Sequence, residues 1–187
     1  MVGMGRSSGR LGVLAVASPD PVLSLLSALG LAQVAGSALV IDMCRDLALQ
    51  SGRTLSDLVA DGPSLSELGP GRSGVALLSS GPIEPVDALP LIDTLAQGWP
   101  AVVIRCASGG WSGPTVPVRP LLPGLLRSVE ESPAVWQPTA AGTRPSGPGP
   151  VLPRLSGSLA RRLLSGKSAT KARWVRAWER VWEMPWA

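Results

Sequence analysis

The sequence predicts an α/β fold, a mostly parallel sheet flanked by helices and followed by a C-terminal amphipathic helix. Three observations predict it. Short, uncharged apolar runs recur along the first two thirds of the 187-residue chain, and segments with helical spacing separate them; strands alternating with helices in this way form parallel sheets through right-handed crossovers. The core must also be aliphatic. Hydrophobic residues make up 45% of the chain, yet it contains no Phe and no Tyr, and its aromatics are seven Trp. A Leu/Val/Ala/Ile interior suits a sheet buried on both faces.

The elements run in order along the chain. LGVLAVA (11–17) is a buried first strand, and SPDP turns the chain, with Ser18 or Asp20 placed to cap the next helix. VLSLLSALGLAQV (22–34) has Leu and Val at helical spacing, and ALVID (38–42) is a second strand ending in an acid. TLSDLVAD (54–61) and SLSELG (64–69) each begin with a hydroxyl residue and carry an acid three positions later, the capping-box pattern of a short helix. GVALLSS (74–80) is a third strand, PVDALPLIDTLAQ (85–97) a helix and PAVVIRCAS (100–108) a fourth strand. TVPV (115–118) and AVW (134–136) suggest two further edge strands around LLPGLLRSVEE. The expected organisation is a flexible leader (1–9), an α/β domain (10–136), a Pro/Gly linker (137–153) and a basic Trp-rich helix (154–187).

Composition excludes several chemistries. With no His there is no Ser-His-Asp or Cys-His machinery, and two Cys cannot assemble the usual four-ligand zinc site. Cys44 and Cys106, each near a strand end, read as reduced thiols. The apolar run after MVGMGRSSGR is broken by Ser18, Pro19, Asp20 and Pro21, and no uninterrupted span is long enough to cross a bilayer, so the expected location is cytoplasmic, peripheral to a membrane at most. The net charge of +4 is unevenly spread. Residues 151–187 hold eight basic residues against Glu179 and Glu183, while the rest of the chain holds nine basic and eleven acidic ones.

ALVIDMCRD (38–46), GRTLSDLVADGPSLSEL (52–68) and GVALLSSGPIEP (74–85), in this order of elements, resemble the MinD/ParA group of P-loop ATPases. The resemblance is nearest to the branch of bacterial tyrosine kinases and TadZ/CpaE-type localisation proteins, and it covers residues 11–108. It implies a P-loop NTPase-like, Rossmann-like fold and, in an intact member, a glycine-rich phosphate loop with lysines and acids around magnesium.

This chain departs from that pattern at each chemical position. In place of the phosphate loop stands ASPDPVLSLLS (17–27), without Gly or Lys; Pro19 and Pro21 lack N–H donors, and Asp20 would repel a phosphate. The second acid expected after strand two is Cys44, and the acid expected at the end of strand four is Arg105. Asp42 alone survives, at a strand's carboxyl end where α/β sheets bind ligands. SGKS (165–168) is not a Walker A motif, because Arg161 occupies the required glycine position and no strand precedes it. Asp57 and Asp61, one helical turn apart, read as a solvated face.

The expectation is therefore a pseudo-ATPase that is not an enzyme, with no catalytic, cofactor-binding or metal-binding residues and no cofactor. In the tail, Trp174, Val175, Trp178, Val181 and Trp182 form one apolar stripe at helical period, flanked by Lys171, Arg173, Arg176 and Arg180. Three destinations are open to that stripe: the domain's own sheet, a groove on a partner protein, or the interface of an anionic membrane. Phosphate contacts to nucleic acid are permitted, although no base-reading motif accompanies the charge. The function expected first is a scaffold that binds partner proteins through Trp174, Trp178, Val181, Trp182, Arg173, Arg176 and Arg180; the alternative is a membrane- or DNA-associated positioning protein.

Overall fold

The computed structural model describes residues 12–46, 52–123 and 132–186. The expected leader (1–9) and most of LLPGLLRSVEE lie outside these ranges. Within them the chain forms a six-stranded, all-parallel sheet with helices, the α/β fold expected. The strands are β1 (Gly12–Ala17), β2 (Ser37–Asp42), β3 (Gly74–Ser79), β4 (Ala101–Cys106), β5 (Thr115–Leu121) and β6 (Val135–Pro138). Their order across the sheet is β3-β2-β4-β1-β5-β6.

Alternation along the strands divides the core in two. Leu14, Val16, Ala38, Val40, Val103, Val116 and Val135 face helix α1 (Pro21–Val34), whereas Leu39, Ile41, Val102, Ile104 and Leu78 face α2 (Leu55–Asp61) and α3 (Pro85–Gly98). Helix α2 begins with the expected capping box: Thr54 Oγ1 accepts from the Asp57 N–H, and Asp57 accepts from the Thr54 N–H at 2.7 Å. That bond comes first among the causes that hold the Asp57 carboxyl below its usual range. Ser64 and Glu67 make the same kind of contact at 2.7 Å, but the segment stays a turn rather than the expected helix. Gly69 and Pro70 stop it before a second turn can form.

Strand β5 carries Pro117 and Pro120 in the inner part of the sheet, where proline is unusual. Register explains this. Thr115–Pro117 pairs with β1, and Val118–Leu121 pairs with β6, so neither half of β5 has ladder partners on both sides.

Residues 137–153 are not the flexible linker expected. The chain returns alongside β6, with the N–H groups of Ala134 and Trp136 donating to Pro148 and Pro150 O, and Leu152 N–H donating to Trp136 O. Prolines can accept though they cannot donate, so a Pro-rich strand can still line one sheet edge. Leu152 is buried there.

The tail is helical at the C-terminus as expected, but divided into short helices rather than unbroken across 154–187. It folds as α4 (Gly157–Leu164), a turn through Gly166 at φ 69°, then α5 (Arg173–Ala177) and α6 (Glu179–Trp182). All three pack on α1 and form a third layer over it. Eleven of the fourteen residues of α1 are buried, because it is covered by the sheet on one side and this layer on the other. At Gly30 an added Cβ would clash with the edge of the Trp174 ring and lie 2.8 Å from Trp178 Nε1. Here glycine permits close approach. Among the described residues no helix is long and apolar enough to cross a membrane.

Candidate functional site

In an open parallel sheet the ligand crevice lies at the carboxyl ends of the strands. At that end β2 finishes in Asp42 and β4 reaches Arg105, directly paired in register. Both side chains have the parity that faces α1, so they lie side by side beneath its N-terminus. Arg105 is fully buried and is held on several sides. Its Nη1 donates to both Asp42 carboxylate oxygens at 2.9 and 3.0 Å. Its Nη2 donates to both Asp46 oxygens at 2.7 and 2.9 Å and to the Pro21 carbonyl at 3.0 Å. Nε is buried without a partner among the described residues.

The network extends into the backbone. Asp42 Oδ1 also accepts the Cys44 N–H at 3.0 Å, and Met43 N–H donates to the Arg105 carbonyl. Burial pushes the Asp42 carboxyl above its ordinary range, against the pull of Arg105. For Arg105, burial works to lower the pKa, but the hydrogen bonds to Asp46 and the charge of Asp42 outweigh it and raise it overall.

At the mouth of α1, where the resemblance would place a phosphate, Asp20 caps the helix. Its Oδ1 accepts the Leu23 N–H at 2.8 Å, with Pro21 in the first turn. The chain's own carboxylate therefore uses a donor that an anion would need. Arg105 fills the adjacent position and takes up the Asp42 and Asp46 carboxylate oxygens that a cation there would need.

The remaining candidates fall elsewhere. Cys44 is half-buried and Cys106 buried, both are free thiols, and burial pushes the Cys106 thiol up to about 11. Asp57 is committed to its helix cap, and Asp61 meets Arg53 on the surface. No group of three or more His, Cys, Asp or Glu among the described residues is placed to hold a metal ion.

Of the expected partner-binding residues, Trp174, Trp178 and Val181 are 2%, 0% and 0% exposed, packed against α1 in the chain's own core. Trp174 Nε1 donates to Gln137 Oε1 at 2.6 Å, and the half-buried Trp182 donates to the Leu31 carbonyl at 3.0 Å. The stripe folds back on the chain's own domain, but onto helix α1 rather than onto the sheet. Arg173, Arg176 and Arg180 remain exposed. Sequence reasoning did not connect Arg105 to Asp46 or give Gln137 a role. The sequence signal for the stripe's destination was α1 itself, which carries no charged residue.

Comparison of the chain with family models, with curated proteins and with solved structures finds no match in any of the three.

Proposed function

We propose that the chain is a non-catalytic adaptor, a P-loop-ATPase-like scaffold whose nucleotide end is closed by its own side chains and which acts by presenting surfaces to partner proteins. One observation carries this reading: the fully buried Arg105, bound by Asp42, Asp46 and the Pro21 carbonyl at the carboxyl edge of the central strands. A nucleotide with magnesium would have to displace that guanidinium and uncap α1, leaving two carboxylates unpaired. The element order and the stretches 38–46, 52–68 and 74–85 support the descent of the fold. Loss of Lys, Gly and the second acid supports the loss of hydrolysis.

The surface on offer to partner proteins is a groove of about 550 Å³ beside β3, lined by Leu58, Leu95, Trp99, Arg53 and Arg72 among others. The test is nucleotide titration of the intact chain. ATP with magnesium should leave the Tm unchanged, and partners retained by the immobilised protein should be the same with and without nucleotide. A Tm rise of several degrees would restore a nucleotide-binding role.

A further inference from the structure

The packing of the Trp stripe into the core changes what the tail offers to the outside. Arg154, Arg161, Arg162, Lys167, Lys171, Arg173, Arg176 and Arg180 are all exposed. Among the described residues none of the eight makes an ion pair. Two are lightly pinned to backbone: Arg162 Nε to the Ser168 carbonyl at 2.7 Å, and Arg154 to the Thr139 carbonyl at 3.4 Å. The other six make no side-chain hydrogen bond among the described residues.

These cations share one layer. Helices α4, α5 and α6 all rest on α1, so their outer sides form a common surface. Arg173, Arg176 and Arg180 recur at i, i+3 and i+7 along α5 and α6, on the side opposite Trp174, Trp178 and Val181. Beside them Arg162 and Lys171 line a hollow of about 680 Å³, together with the hydroxyls of Ser158, Ser168 and Thr170. Opposing charge in the tail is limited to Glu179 and Glu183.

We propose that this outer face of α4–α6 is a docking surface for the phosphate backbone of duplex nucleic acid, engaged without base reading. Six of the eight cations are Arg, whose planar fork matches phosphate oxygens, and hydroxyl groups beside them add donors. A lipid bilayer fits less well. Interfacial helices hold on by burying an apolar face among acyl chains, and here that face is packed against α1.

The test is fluorescence anisotropy of the full chain with a short labelled DNA duplex of arbitrary sequence, at salt concentrations from about 50 to about 200 mM. Binding should weaken steeply with salt, each phosphate contact adding about −0.9 to the slope of log K against log salt. The triple variant Arg173→Gln, Arg176→Gln, Arg180→Gln should lower the slope by about three and weaken low-salt binding at least roughly tenfold. Its Tm should match the parent's, because these side chains are exposed and unpaired. Arg45→Gln, whose side chain pairs with Glu84 near the start of α3, should bind like the parent. No duplex binding at low salt, a triple variant that binds like the parent, or equal affinity for anionic phosphatidylglycerol vesicles or polyglutamate would each overturn the proposal.

Discussion

At the scale of single residues, Arg105 and Asp42 behave as one unit. Removing either partner of a buried ion pair leaves the other as an unpaired buried charge, which costs about 3–5 kcal/mol; replacing both with apolar residues of similar size is often nearly neutral. Arg105→Met should therefore lower stability in urea denaturation by about 3–5 kcal/mol, because Asp42 is left buried without a cation, whereas Asp42→Leu combined with Arg105→Met should recover most of it. Equal losses in the single and double variants would show that the pair does not act as a unit. Each half of this pair is visible in the sequence, Asp42 as a surviving acid and Arg105 as a cation where an acid is expected. Their union is not, because it depends on a β2–β4 register between residues 63 positions apart. No local pattern reports such a register.

At the scale of elements, β1 to β4 and α1 to α3 are legible because each is a continuous run whose period and punctuation agree. The failures share a cause. Residues 148–152 look like linker because Pro and Gly carry no pattern, yet their carbonyls and remaining N–H groups still pair with β6. The tail reads as one helix because its stripe has helical period, but Gly166 breaks it and α4 approaches α1 separately. Contact between α1 and the tail rests on Gly30. In an exposed helix Gly→Ala would be stabilising by roughly 0.5–1 kcal/mol. Here the methyl group meets Trp174 and Trp178, so Gly30→Ala should instead destabilise by about 1–3 kcal/mol. It should also shift the Trp emission of the native protein to the red as the tail lifts. Unchanged emission together with a gain in stability would contradict this packing.

At the scale of the whole molecule, the expected division into domain, linker and appended helix gives way to one interleaved core. The cluster that surrounds α1 includes Leu152, Leu163, Ala169, Trp174, Val175, Trp178 and Val181, and all but Leu152 come from the segment expected to stand apart as a tail. Ala169 N–H reaches Gln33 across 136 residues, and Trp182 reaches Leu31 across 151. Deleting residues 154–187 should therefore not yield an independent α/β domain. It should expose the outer face of α1, seen as binding of a hydrophobic dye and a shift to larger species than the full chain forms in size-exclusion chromatography. A truncated chain that keeps the full chain's association state and melts cooperatively would argue for separable units.

The same long-range closure has a kinetic side. Helix α1 is uncharged and apolar on nearly every side, and its lid comes from chain segments more than a hundred residues downstream. Contacts of such separation form slowly, since a large loop must close before they contribute. Until then a collapsed intermediate with β1, α1 and β2 in place presents a sticky helix to its neighbours. Refolding yield should thus be a race between tail docking and aggregation, won at high dilution and lost in a crowded tube.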